Sequence, residues 1–378
     1  MGKTVNMLIL IWCCAFLLTG CWDRKEISDI NLVLGIGIDK GERKRFKFTA
    51  QWLPPKLEQN GHSSSEVYSV EVNSLSEAKN TLAEVSSARP AFSHVGIVVI
   101  GEKQAREGIA DLLEELGREF QIRRTVYFFV TPGKGSEILA VKTSAGSASQ
   151  ELKQLDKDWK NTATMYKVNY NQLYQRVLDP NQLAFMPVVQ RNQHGDMLVH
   201  RVGGMGIFQK GILKAELTGS SAKDLMYLQG KIAQGTFDDW TIDGELVVSE
   251  TVDESCAMRM KVDNGKIAVF LSVKEEITIK DMYGEWNLSV PAETSRLEQK
   301  IEKALAQRLK LFLDRMRRQN LDILNVAINL QRYHKKAWGQ MSAQGNEHIL
   351  NHTDFHLKVH VDINNSGAYR KHSESASK

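Results

Sequence analysis

The sequence has few cysteines, few prolines and no hydrophobic run long enough to span a membrane. Its 378 residues include four cysteines and seven prolines, and charged residues make up 25% of the total. This composition excludes a disordered chain, a collagen-like chain and a protein with several membrane spans. The net charge of +4 is too small to indicate a nucleic-acid-binding protein. The length predicts two or three domains, each with its own core.

An apolar run of twelve residues, Met7–Leu18, follows one positive charge at Lys3 near the N-terminus. Twelve helical residues cover about 18 Å, well below the roughly 30 Å of a bilayer's hydrocarbon core. The run therefore predicts a signal peptide over residues 1–20 and not a membrane span.

The signal peptide ends in Leu-Thr-Gly-Cys at residues 18–21, which resembles a bacterial lipobox. There the thiol of Cys21 would take a diacylglyceryl group, and cleavage would leave Cys21 as the first residue. The alternative is an ordinary secretory signal in which Cys21 has no role. Because Cys21 stands where cleavage is expected, we favour the lipobox and predict a membrane-tethered, extracytoplasmic protein whose membrane lipid contact is the acyl anchor.

Cys256 is the one cysteine left for the mature fold, because Cys13 and Cys14 leave with the signal peptide and Cys21 is lipidated. A single thiol cannot form an internal disulfide, so the core alone must stabilise the fold. Cys256 stands at the start of an apolar strand, which favours a small core residue over a reactive thiol.

The first part of the mature chain alternates predicted strands with amphipathic helices, which indicates a layered α/β arrangement. The predicted strands are Asn31–Asp39, Phe46–Leu53, Val95–Ile100 and Thr125–Val130. The first predicted helix begins behind Ser74 or Ser76 as a cap, and its buried face carries Leu75, Ala78, Leu82 and Val85. The buried face of the second predicted helix carries Ala105, Ile109, Leu112, Leu116 and Phe120. A polar helical region is predicted over residues 150–178.

Antiparallel hairpins dominate the pattern of the second part. Hairpins are predicted at Gly206–Leu217 and Ala257–Val273, a long helix at Thr294–Asn320 and a final alternating strand at Phe355–Ile363. We therefore predict a mixed α/β (α+β) fold of several sheet-centred domains flanked by helices. The predicted division is a signal peptide at 1–20, an N-terminal domain at 21–198, a C-terminal domain at 203–370 with a subdivision considered near 290, and a disordered tail at 371–378.

The glycines at Gly35, Gly37 and Gly41 suggest a dinucleotide-binding turn, but their spacing is wrong. The fingerprint needs its third glycine three residues after the second, in a turn that opens a helix. Position 40 is Lys40, and no helix is predicted to follow. Close backbone packing within a strand is the favoured interpretation.

Four histidines recur at every fourth residue: His348, His352, His356 and His360. On a helix they would line one face and could hold zinc. The segment Phe355–Ile363 has the period of a strand, however, and four strand residues span about 13 Å. We therefore predict that His356 and His360 lie on a solvated strand face, and we predict no metal site.

Motifs for nucleophilic catalysis or for phosphate binding are missing from the sequence. The basic residues of the long helix alternate with Glu298, Glu302 and Asp314, which favours a solvated face over a lipid-binding or polyanion-binding patch. We predict a tethered binding or structural module with no catalytic residues and no cofactor.

Several stretches together resemble the Ger(x)C family, the lipoprotein C subunits of nutrient germinant receptors in endospore-forming bacteria. They are Cys21–Ile27 running into Leu32–Asp39, Phe92–His94 with Val98–Glu102, Gly133–Leu139, Gly206–Phe208 with its hairpin, and the final strand followed by Gly367. The Cys-Trp-Asp opening joined to the Gly-x-Gly-x-Asp strand is the most specific of them. The resemblance spans essentially the whole chain.

The resemblance implies sheet-centred α/β domains and no enzyme activity. It also implies lipid anchoring on the outer face of the spore's inner membrane. The implied partners are two integral membrane subunits, A and B, of a receptor that senses amino acids or sugars and triggers ion and dipicolinate release. Beyond Cys21 it implies no site residue, and no nucleic-acid partner is expected.

A solute-binding lipoprotein of a transporter is the alternative function. It predicts two doubly wound lobes joined by hinge strands, with a ligand cleft between them. The antiparallel hairpins after Gly206 argue against such a second lobe. A lipid-anchored hydrolase is a third interpretation, which the missing nucleophile motifs weaken.

Overall fold

The structure is a computed structural model that describes most of the mature chain. The described residues are 30–53, 65–86, 88–120, 122–143, 146–155, 165–195, 197–263, 265–283 and 286–364. The predicted signal peptide, Cys21 and the predicted tail lie outside them.

The described elements alternate strands and helices first and then form long hairpins. The strands are β1 Ile30–Lys40, β2 Phe46–Leu53, β3 Glu66–Val72, β4 Arg89–Ala91, β5 Ile97–Gly101, β6 Tyr127–Thr131, β7 Leu183–His194, β8 Met197–Gln209, β9 Ile212–Leu217, β10 Phe237–Ile242, β11 Glu245–Asp263, β12 Lys266–Met282 and β13 Thr353–Ile363. The helices are α1 Leu75–Val85, α2 Glu102–Glu107, α3 Ala110–Glu119, α4 Gly135–Leu139, α5 Ala148–Leu155, α6 Tyr170–Leu178, α7 Gly219–Leu228, α8 Pro291–Arg318, α9 Val326–Tyr333, α10 Lys335–Met341 and α11 Gly345–Asn351.

The first sheet has the order β3-β2-β1-β5-β6-β7-β8-β9, with β4 paired to β1. Its centre is parallel, since β1 pairs parallel with β5 and β5 with β6, whereas both ends are antiparallel. Every residue of β5 is buried. Val98 and Ile100 join the core with α1 and α3, while Ile97 and Val99 pack with α4 and α5 on the opposite face. A central parallel strand covered on both faces reads as a continuous apolar run for this reason.

The predicted helical faces are confirmed with two differences. Leu75, Ala78 and Leu82 are buried, but Val85 is 52% exposed because it is the last residue of α1. The second predicted helix is broken at Gly108, whose φ of 138° separates α2 from α3. The apolar spacing continues through the break, so the pattern alone predicts one helix.

The hairpin of β7 and β8 crosses residues 198–203, where the sequence places the boundary between the N-terminal and C-terminal domains. The first sheet continues through this hairpin to the end of β9 at Leu217. The predicted hairpin at Gly206–Leu217 is confirmed, and its two-residue turn has positive φ at Lys210 and Gly211, as a type I′ turn requires. The chain therefore changes from the first sheet to the second after Leu217.

The second sheet has the order β10-β11-β12-β13. The β11–β12 hairpin confirms the second predicted hairpin and is longer than predicted. The long helix α8 follows β12 and buries the predicted stripe, Leu297, Ile301, Leu305, Leu309, Phe312 and Met316. After α8 to α11 the chain returns as β13, which pairs parallel with β12.

The free edge of β13 is covered by carboxylates from α8. Glu302 accepts a hydrogen bond from the Val361 backbone N–H at 3.1 Å, and Glu298 accepts one from the Ile363 N–H at 3.0 Å. Edge strands expose unpaired N–H groups that can template aggregation, and these carboxylates occupy two of them.

The predicted mixed α/β fold with antiparallel hairpins in its C-terminal half is confirmed.

Candidate functional site

The Gly-x-Gly-x-Asp end of β1 meets the segment Gly133–Leu139 at the start of α4. Asp39 is 3% exposed, and its carboxylate accepts hydrogen bonds from the backbone N–H groups of Gly135 at 2.6 Å and Ser136 at 3.0 Å. These bonds satisfy donors that the first turn of a helix leaves unpaired. Two stretches that carry the family resemblance are thus one structural unit.

The glycines of this unit let backbones touch. A Cβ atom on Gly37 would lie 3.0 Å from the carbonyl carbon of Gly135, and one on Gly101 would lie 2.2 Å from Oδ1 of Asp39. A Cβ on Gly135 would lie 2.5 Å from the Val99 carbonyl oxygen. The prediction of close backbone packing is confirmed, and β1 leads into β2, not into the helix that a dinucleotide site needs.

The Asp39 contacts belong to a buried polar layer that also contains Gln51 and His200. The sequence pattern did not identify either of these two residues. Gln51 is fully buried; its Oε1 accepts from the backbone N–H and the hydroxyl of Ser149, and its Nε2 donates to the Leu139 carbonyl at 2.8 Å. His200 has Nε2 2.9 Å from the Ile138 carbonyl and Nδ1 2.9 Å from Glu151. The layer fixes α4 and α5 on the sheet, which is a structural role.

A second buried polar group, the carboxyl cluster, lies between the second sheet and its helices. It consists of Asp224, Tyr227, Asp238, Glu254, Glu275 and Arg308. The Tyr227 hydroxyl lies 3.0 Å from Asp238 Oδ2 and 2.7 Å from Glu275 Oε1. A phenol has one hydrogen, so Tyr227 can fully donate to only one of these two carboxyls at a time.

Two cations lie beside the cluster's Asp238: Arg308 and the neighbouring Lys223 pair with it at 3.1 and 3.3 Å. Burial raises the pKa of Glu275 to about 7, against the opposing hydrogen bonds from Tyr227 and Thr251. Burial therefore favours the protonated form of Glu275, although Tyr227 and Thr251 both donate hydrogen bonds to its Oε1.

Two further carboxyls of the cluster are also shifted upward. Burial raises the pKa of Asp224 to about 6 against the nearby Arg308, and burial raises the pKa of Glu254 to about 8. Perturbed carboxyls mark catalytic sites in many enzymes, but structural networks perturb them as well. Asp238 and Glu275 are 4% and 2% exposed, so a substrate has no access to this pair.

The remaining candidate residues do not form a catalytic site within the described chain. Burial, reinforced by the charge of Glu254, raises the pKa of Cys256 to about 11, which leaves its thiol protonated and weakly nucleophilic at neutral pH. His356 and His360 are exposed on β13, as the strand period predicts. In the described ranges no three His, Cys, Asp or Glu residues are placed to hold a metal ion.

Within the described residues, every helix is too short or too polar to cross a membrane. The predicted lipidation site Cys21 lies outside the described residues, so it stays a prediction.

Comparison with known proteins gives a consistent result over nearly the full length. Residues 23–191 match the family described as the spore germination protein N-terminal domain, and residues 203–367 match the spore germination B3/GerAC-like C-terminal family. Spore germination protein KC of Bacillus subtilis (strain 168) is 24% identical over 97% of each chain. Spore germination protein B3 of the same organism is 23% identical over 98% of this chain and 100% of its own.

The fold agrees with these matches. The crystal structure of the GerBC protein superposes with a TM-score of 0.60 at 19% identity, covering 91% of this chain and 100% of that one. The chain belongs to the GerAC-like family of spore germination proteins.

Proposed function

We propose that the protein is the lipid-anchored, non-enzymatic C subunit of a nutrient germinant receptor. It is attached through Cys21 to the outer face of the spore inner membrane. There it acts with two integral membrane subunits, A and B, to trigger germination.

One observation carries the proposal. The match to proteins named for spore germination covers nearly all of this chain and nearly all of each relative. A shared domain on an unrelated protein would match only part of either chain. The lipobox at residues 18–21 supports the anchor, since it directly follows a twelve-residue apolar run.

A role by contact, without turnover, is supported by the chemistry of the described residues. Asp224 and Glu275, whose pKa values are raised, are buried, and Cys256 is a poor nucleophile because its pKa is raised. A lipid tether confines the protein to a thin layer at the membrane, so modest contacts with a membrane subunit suffice through high effective concentration.

The solute-binding alternative requires a second doubly wound lobe. The second sheet instead consists of β10, β11 and β12 in antiparallel order with β13 added in parallel. This arrangement favours the receptor role.

Deletion of the gene tests the proposal. We expect the mutant spores to lose their response to one nutrient class while they still germinate by receptor-independent routes, and the wild-type gene should restore the response. Normal nutrient germination together with a defect in solute uptake during growth would instead favour the solute-binding function.

Replacement of Cys21 tests the anchor separately. Cys21→Ala should release the protein from the membrane fraction or mislocalise it, and mass spectrometry should find acyl chains on the wild-type N-terminus. An unmodified mature N-terminus at Cys21, or full membrane retention of the variant, would contradict the anchor.

A further inference from the structure

A cavity of about 910 Å³ lies where the first sheet's helix α6 approaches the start of the second sheet. One wall comes from Tyr166, Gln172, Arg176 and Phe185, and the other from the connection Gly230–Gly235 and from β11. Its volume is in the range of pockets that hold small organic molecules, about 300–1,000 Å³. The carboxyl cluster adjoins this cavity, since the lining residue Ile232 donates its backbone N–H to Glu254 at 3.2 Å and the lining residue Thr251 donates its hydroxyl to Glu275 at 2.9 Å.

The cavity combines aromatic walls with cations. Lys231 places its Nζ 3.3 Å from the centroid of the Tyr166 ring, and the Tyr166 and Phe185 rings lie 6.3 Å apart. The Arg176 guanidinium lies 5.7 Å from the Phe185 ring and donates one hydrogen bond to the Leu183 carbonyl. Both cations therefore lie against aromatic rings, where the low local dielectric strengthens their electrostatic attraction to an anion.

Among the described residues, Lys231 and Arg176 have no carboxylate paired with them. Glu250 is the one carboxylate in the described lining, and it pairs with Lys280. Within the described chain, no carboxylate lies within 4 Å of the Lys231 ammonium or the Arg176 guanidinium. Burial, and secondarily the nearby Arg176, lower the pKa of Lys231 to about 8. An anion between these two cations would stabilise the charged form of Lys231 against the burial and the repulsion from Arg176 that disfavour it.

We propose that this cavity binds a small organic anion, with its apolar body against Tyr166 and its carboxylate against Lys231 and Arg176. A neutral molecule of the same shape leaves the two cations uncompensated. A small inorganic anion leaves the aromatic wall uncovered. The ligand class is therefore a carboxylate that carries an aromatic or similarly apolar group, and the inference does not depend on the receptor role.

The test uses the full-length protein purified from membranes in a nonionic detergent, with 2-naphthoate as the probe. Isothermal calorimetry should show binding of 2-naphthoate, and at least tenfold weaker binding of the neutral 2-naphthamide and of inorganic phosphate. Lys231→Met should weaken 2-naphthoate binding at least tenfold, as expected for the loss of a charge-assisted hydrogen bond. Lys214→Met, which removes an exposed lysine on β9, is the matched control and should leave the affinity unchanged.

Proton linkage gives a second readout that a general loss of structure would not imitate. With a pKa of about 8, Lys231 is about half neutral at pH 8, so binding of an anion should take up about half a proton there and almost none at pH 6. Lys231→Arg should keep the affinity within about threefold and lose the proton uptake, because arginine stays charged.

Three results would overturn the proposal. They are equal binding of 2-naphthoate and 2-naphthamide, unchanged affinity in folded Lys231→Met protein, or no 2-naphthoate binding at millimolar concentration.

Discussion

Glu275→Gln should stabilise the protein at alkaline pH and have little effect at acidic pH. Glutamine has the shape of the protonated carboxyl, and its amide oxygen can accept the hydrogen bonds that Tyr227 and Thr251 donate to Glu275 Oε1. It cannot ionise. The variant therefore isolates the free-energy cost of keeping an ionisable group in the carboxyl cluster.

The magnitude follows from the pKa of Glu275 in the two states. Its ordinary value is 4.5 and its folded value is about 7, so between these values the folded state binds more protons than the unfolded state. Stability attributable to this residue therefore falls as pH rises from 4.5 to 7, and is unchanged below that window. At about 1.4 kcal/mol per pKa unit, the cost at pH 8 is about 3 kcal/mol.

Urea denaturation at pH 4.5 and at pH 8 measures this difference in the free energy of unfolding. We expect the variant to gain about 3 kcal/mol over the wild type at pH 8 and under about 1 kcal/mol at pH 4.5. Glu245→Gln, at an exposed glutamate on β11, is the control and should show no such pH-dependent gain. If Glu275→Gln lost stability at pH 8, Glu275 would be a stabilising carboxylate and the inference that burial raises its pKa would be wrong.

Three further changes test other parts of the fold. Gly37→Ala should lower the free energy of unfolding in urea by about 1–3 kcal/mol, because the added Cβ would meet the Gly135 backbone. Gly339→Ala is the control and should not destabilise the protein, because a Cβ there would meet nothing within 4 Å. Glu302→Ala should cost about 1 kcal/mol and increase aggregation in light scattering by freeing the edge N–H of Val361, while Lys303→Ala on the exposed face of the same helix should do neither. The soluble part from Trp22 onward should fold without disulfides or metal; a large fall in melting temperature on adding a chelator to metal-replete protein would contradict this.

Features with a local cause were predictable from the sequence. The buried run of β1, the stripe of α8 and the two hairpins each depend on a spacing or a turn signal within one segment. The break at Gly108 was missed because the apolar spacing continues across it, and a glycine within an amphipathic run does not by itself end a helix.

The polar layers were not predictable, because their partners come from distant segments. Asp238 and Arg308 are 70 positions apart, and Gln51 and Ser149 are 98 positions apart. Which polar residue turns inward depends on strand register and on the placement of helices, and neither is fixed by a local pattern. The cavity beside Lys231 has the same origin, since its walls come from segments on both sheets.

The buried carboxyls of the second sheet should make its stability depend on pH. In the first sheet, by contrast, Gln51 is a neutral amide whose donor and acceptor atoms are both paired, so its own hydrogen bonds do not change with pH. In the second sheet Glu254 and Glu275 lie on facing positions of β11 and β12, and the pKa of each is raised mainly by burial. Both shifts have the same sign, so ionisation of Glu254 and Glu275 as the pH rises weakens the second sheet. The half of the molecule that contains α8 therefore loses stability as these two carboxyls ionise.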